Sequence, residues 1–169
     1  KNKNDIRKNF YISCWNKFET ESYALWKIYS NLNSGIAIVT TPKKIVQAFK
    51  NTREDVQLSE IRYIDFKKDI INIGNINFPV IHKNRFYDYE KEIRLIHQTN
   101  LLKTDPSDEK IDNGKYISID INELIDEIII SPYEKDWFFN IVKDLLNKYK
   151  KKKTLLFISL HLMLYFNFS

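Results

Sequence analysis

The sequence predicts an α+β fold, a single domain with a mixed central sheet and helices packed on it. Three observations carry this. Short runs of β-branched and aromatic residues recur, as in Asn9 to Trp15 and Gly35 to Thr41. Stretches of helical spacing lie between them, the clearest from Tyr133 to Tyr149. The Gly-rich turns of a dinucleotide fold are missing from a chain with only 3 Gly.

In chain order, residues 1–8 are polar and read as a disordered basic tail. Asn9 to Trp15 is the first strand. Thr20 and Glu21 open a helix over roughly 20–30, as cap and first-turn acid, with Tyr23, Leu25, Trp26 and Tyr29 at partly helical spacing. Asn31 to Ser34 is a turn. Gly35 to Thr41 is a buried central strand. Thr41 with Pro42 then opens a second helix with Ile45, Val46, Ala48 and Phe49 on its apolar face. Val56 to Phe66 holds one or two strands. Residues 67–77 connect, and Phe78 to His82 is a strand start or edge, where Pro79 need not donate to a ladder. Asp105 to Asp108 is a polar loop, Tyr116 to Ile121 a strand, Asn122 to Glu127 a short helix or turn, and Ile128 to Ile130 an apolar strand. The last helix, 133–149, carries Trp137, Phe138, Ile141, Val142, Leu145 and Leu146 as an amphipathic stripe.

Composition bounds the function. The 169 residues suit one domain, placed at 9–149. Charged residues at 29% exclude a wholly membrane-embedded protein, and 43% hydrophobic residues supply a core. Cys14 is the one cysteine, so no internal disulfide forms, which fits a reducing cytoplasm. In an apolar strand it reads as a small buried hydrophobe. The net charge of +5 sits largely in residues 1–8 and 148–153, a pattern of solvated tails with no strong nucleic-acid signal. The chain opens on Lys and reads as a fragment without a signal peptide. Its Asn, Lys and Ile bias matches an AT-rich bacterial genome.

The tail, 150–169, admits three readings. The apolar run after Lys153 is shorter than the roughly 20 residues that span a bilayer. It is a final strand on the core, an aberrant tail appended by slippage on the adenine-rich lysine codons, or an interfacial membrane segment at 154–169.

The densest chemistry lies in Lys83 to Arg94, KNRFYDYEKEIR, with two Lys, two Arg, three aromatics and three acids. As a strand, this segment puts Asp88, Glu90, Glu92 and Arg94 on one face. Neighbouring carboxylates there repel, so one is pushed up unless Arg94 or Lys83 compensates. As a helix, Glu90 and Arg94 form an ion pair, and Phe86, Tyr89 and Ile93 a packing stripe. Glu21, Thr40 and Tyr63 are further polar groups able to converge on it. His82, His97 and His161 lack ligand spacing, so no metal site is expected.

Several islands together resemble a family: YISCW (11–15), ESYALWKIY (21–29), GIAIVTT (35–41), RYIDF (62–66), Lys83 with FYDYEKEIR (86–94), and IIISPYEKDW (128–137). Their order and spacing look like the bacterial family called domain of unknown function 2971. A weaker resemblance is to ADP-ribosyltransferases, which carry a strand-borne Ser/Thr followed by an acid-x-acid motif. That resemblance implies Thr40 or Thr41 at the Ser/Thr position, Glu90 and Glu92 as the acid pair with Glu92 catalytic, and NAD as cofactor. The family's early basic residue has no clear match. Lys83, Arg94, Glu21, Thr40 and Tyr63 are then the substrate-binding candidates for a small molecule or nucleotide. The alternative expectation is a non-catalytic binding domain in a defence or regulatory system.

Overall fold

The computed structural model describes residues 9–18, 22–30, 35–71, 74–99, 114–131 and 133–149, and the backbone of 156–158 and 165–166. The fold is α+β, as the interspersed patterns predict. The chain resolves into two compact units: Lys1–Cys14 with Thr52–Ile117, and Trp15–Asn51 with Ser118–Ser169. The expected tail at 1–8, the turn at 31–34 and the loop at 105–108 lie outside the described residues.

The first unit is built on β6 (Glu92–Gln98), which lies between β3 (Gln57–Glu60) and β1 (Phe10–Asn16). β3 and β6 are antiparallel, with Gln57 opposite Ile96 and Glu60 opposite Ile93. Val56 to Phe66 does divide into two strands. Ile61 breaks the run, its N–H bonded to the Glu92 carbonyl, and β4 (Arg62–Ile64) leaves to pair in parallel with β5 (His82–Asn84). Phe10, Val80, Ile81 and Ile96 form the core of this unit.

Two expectations in this region are corrected. Phe78 to His82 is a short helix, α3 (Phe78–Ile81), and not a strand edge. Pro79 sits in its first turn, where the N–H that proline lacks has no partner in any helix. Tyr116 to Ile121 does not form a strand. Residues 114–120 have no regular structure, and Tyr116 is fully exposed, so its alternation meets no core to face. Asp120 instead caps a helix, α4 (Ile121–Leu124), by accepting from the Asn122 N–H.

In the second unit β2 (Ile36–Thr40) runs antiparallel to β7 (Glu127–Ile130), with Ile36 opposite Ile130 and Val39 opposite Glu127. On its other side β2 pairs in parallel with β9 (Tyr165–Phe166), and β8 (Leu156–Ile158) pairs in parallel with β7. This sheet is mixed, as predicted. Thr41 caps α2 (Pro42–Ala48) as its sequence indicates, accepting from the Lys44 N–H at 3.3 Å. α1 (Tyr23–Tyr29) starts after Ser22; Thr20 and Glu21 lie outside the described residues. Leu25 and Trp26 from α1 pack with Ala37, Val39 and Ile129. Tyr23 and Tyr29 stay exposed, because the pair that packs is the adjacent one.

α5 (Asp136–Lys148) forms where the stripe predicts it. The helix buries one row of the stripe: Val142 is buried and Phe138 and Leu146 are partly buried, while Trp137, Ile141 and Leu145 remain about half exposed. Periodicity reports amphipathicity but not which row meets the core. Among the described residues no helix is long and apolar enough to cross a membrane.

Candidate active site

Lys83 to Arg94 is neither one strand nor one helix. It is three pieces: the end of β5, a 3-10 helix (Arg85–Glu90), and the start of β6. Asn84 starts the 3-10 turn by accepting from the Phe86 N–H. Lys91 ends it in the left-handed conformation, φ 42° and ψ 52°, with its N–H bonded to the Asp88 carbonyl. A side chain with a Cβ adopts that region at a cost of about 1–2 kcal/mol. The turn brings Glu90 and Glu92, one on either side of Lys91, to a single ammonium.

That ammonium belongs to Lys83. Its Nζ lies 2.6 Å from Glu90 Oε2 and 3.1 Å from Glu92 Oε2. Arg94 holds Glu92 with a two-pronged grip: Nε donates to Oε1 at 2.6 Å and Nη2 to Oε2 at 3.1 Å. The third guanidinium nitrogen, Nη1, donates to the Val80 carbonyl at 2.5 Å, which ties the grip to α3. Tyr63, opposite Lys83 in the β4–β5 pairing, accepts the Glu92 backbone N–H at 2.7 Å. β4 and β5 thus deliver Tyr63 and Lys83 together to the first residue of β6.

The cluster is graded in depth. The Glu92 side chain is 3% exposed and Glu90 8%, whereas Lys83 keeps 24%. Burial alone pushes the Glu92 carboxyl up. The Arg94 grip, the Cys14 thiol and Lys83 outweigh it, so Glu92 is held below the usual carboxylate value. Burial likewise pulls Lys83 and Arg94 down, but their carboxylate partners raise both above their ordinary values. Glu92, Lys83 and Arg94 therefore stay ionised together. The expected conflict between like charges is resolved by compensation. The Tyr63 hydroxyl is raised by burial and by the nearby carboxylates, against the N–H it accepts and Lys83.

The structure brings together Lys83, Glu90, Glu92, Arg94 and Tyr63 of the residues predicted for the site. Asp88, expected on the same strand face, is exposed in the 3-10 turn and outside the pairing, and no Glu90–Arg94 ion pair of helical type forms. Thr40 belongs to the second unit, fully buried, with its hydroxyl donating to the Leu124 carbonyl. Glu21 lies outside the described residues.

Cys14 is the correction. It is exposed, not a buried apolar side chain, and its thiol feels the Glu92 carboxylate and Arg94. Although the residue is exposed as a whole, partial burial of its sulfur and the Glu92 carboxylate push the thiol up to about 11, so it stays protonated at neutral pH. Cys14 and the Tyr87 ring, 5.0 Å from Lys83 Nζ, are the neighbours sequence reasoning missed. Tyr87 was within reach, since it lies in the focal stretch. Cys14 needed the β1–β6 adjacency, which no local pattern announces. Among the described residues no group of three or more His, Cys, Asp or Glu is placed to hold a metal ion.

No known protein family, curated protein or solved structure matches the chain.

Proposed function

We propose that the Lys83–Glu90–Glu92–Arg94 cluster is the site of a nucleotide-processing enzyme of the ADP-ribosyl-transferring kind, with Glu92 as its essential carboxylate. One observation carries the reading: a nearly buried Glu92 is kept ionised by two cations from different elements. A carboxylate fixed in this way is a poor proton carrier and a good permanent negative charge. Charge of that sign suits a ribosyl centre that turns cationic as the bond from C1′ to nicotinamide breaks. The bonding pair leaves with the nicotinamide nitrogen. The cationic carbon is then taken by the oxygen of an acceptor, which gives up its proton to solvent. Lys83, the most open of the four, exchanges its carboxylate partners for a phosphate oxygen of the substrate, and Arg94 keeps Glu92 in place. The resemblance to the domain of unknown function 2971 family and to ADP-ribosyltransferases belongs to this proposal.

The closure of the pairs favours a second reading, a non-catalytic binding domain. Each charge of the cluster is compensated within it, as in a structural anchor. Nicotinamide release from NAD by the purified chain separates the two. The enzyme reading expects turnover that Lys83→Met weakens chiefly through KM. A wild-type chain that releases no nicotinamide, with or without protein and nucleotide acceptors, sinks it in favour of the binding domain.

A further inference from the structure

We infer that His97, Lys115 and Glu54 form a proton-operated latch in the first unit, which fastens the chain around 114–116 and lets it go when the imidazole takes up a second proton. The latch is independent of the activity proposed above.

The geometry assigns the tautomer. His97 Nδ1 lies 2.8 Å from the Asp55 carbonyl oxygen, which can only accept, so Nδ1 carries the hydrogen. Nε2 then offers its lone pair, and Lys115 Nζ donates into it from 3.0 Å. The same ammonium donates to Glu54 Oε2 at 2.7 Å. The ring is buried on β6, and Tyr11 of β1 stacks on it with planes within 20°. The groups facing His97 are therefore Tyr11, Lys115, Glu54 and the Asp55 carbonyl.

A second proton has only Nε2 to go to. It creates an N–H and a positive charge 3.0 Å from an ammonium that has no lone pair to accept it. Glu54 Oε2, 3.5 Å from Nε2, is the acceptor in reach. The hydrogen bond from Lys115 holds the Glu54 carboxyl below its ordinary value, so it is still ionised when an imidazole changes charge. Glu54 then exchanges Lys115 for His97, and the lysine turns out to water through its already exposed side. Gly114 and Tyr116 are both exposed, and among the described residues nothing beyond its chain neighbours lies within 4 Å of where a Gly114 side chain would begin. Among the described residues 114–117, the Lys115 head group supplies the side-chain hydrogen bonds, so its departure frees the stretch.

The test follows backbone order at 114–116 by heteronuclear NOE on the full chain, between about pH 8 and about pH 5, the range over which an imidazole changes charge. Wild type is expected to be ordered at the upper value, with the Nδ1–H tautomer in long-range imidazole spectra, and to lose order at the lower. His97→Gln, with an amide in place of Nε2 and no proton to gain, is expected to show no pH dependence. Lys115→Met is expected to be loose at both values. Wild-type order that does not change with pH overturns the latch, as does an Nε2–H tautomer. Loss of order in His97→Gln on acidification also overturns it, because a carboxylate would then be responsible.

Discussion

Glu92 concentrates the chemistry of the first unit in one side chain. Its carboxylate takes Arg94 and Lys83, and its N–H takes Tyr63. Removing one partner from such a pair leaves the others buried and unmatched, so Glu92→Gln should cost about 3 kcal/mol in urea unfolding. Cys14 reports on the same atoms. A thiol pushed up to about 11 should react with iodoacetamide roughly 100-fold more slowly at about pH 8 than a free thiol, despite its exposure. Glu92→Gln should speed that reaction, since the carboxylate is part of what raises the thiol. Alkylation at the rate of a free thiol would contradict the placement of Cys14 beside Glu92. At this scale the sequence was informative about identity and silent about partnership. Lys83, Glu90, Glu92 and Arg94 were legible as a dense segment. Tyr63 and Cys14 come to it through strand pairings whose register no local pattern encodes.

The elements explain how one short segment makes a site. A helix alone would have turned Glu90 and Glu92 to different faces. The left-handed Lys91 between a 3-10 helix and β6 lets both reach Lys83. Lys91→Gly removes the Cβ conflict and should raise stability by about 1 kcal/mol, read as a shift in the urea midpoint with an unchanged slope. A loss of stability would mean that the Lys91 side chain has a role beyond the turn. The elements that depart from their local pattern share a physical cause. Pro79 was compatible with either an edge strand or a first helical turn, and only tertiary packing chose the helix. Tyr116 and its neighbours alternate, but alternation makes a strand only when one face has something to cover. Thr41 with Pro42 is legible in the sequence because capping is decided within a single turn.

For the whole molecule, the α+β class followed from interspersed periodicities, whereas the division into two units did not. Each unit is assembled from separate stretches of chain, so composition along the sequence shows no boundary between them. The ionised cluster adds a pH dependence. A carboxyl whose folded value is depressed contributes stability that is complete above its unfolded value and lost as pH falls through the folded one. Glu92 is such a group, so stability should be flat near neutral pH and decline below about pH 4.5, the ordinary range of a glutamate. In Glu92→Gln that decline should be shallower. An equal decline in both chains would place the acid sensitivity in other carboxylates.

The proposed function requires Glu92 to act as a fixed charge in catalysis. The most direct measurement is the rate of nicotinamide release from NAD by wild type, Glu92→Gln and Lys83→Met, with folding of each checked by circular dichroism. The proposed function predicts turnover by wild type, loss of at least about 100-fold in kcat for a folded Glu92→Gln, the range expected when an electrostatic stabiliser is removed, and a smaller loss expressed in KM for Lys83→Met. Undiminished turnover by a folded Glu92→Gln would contradict it.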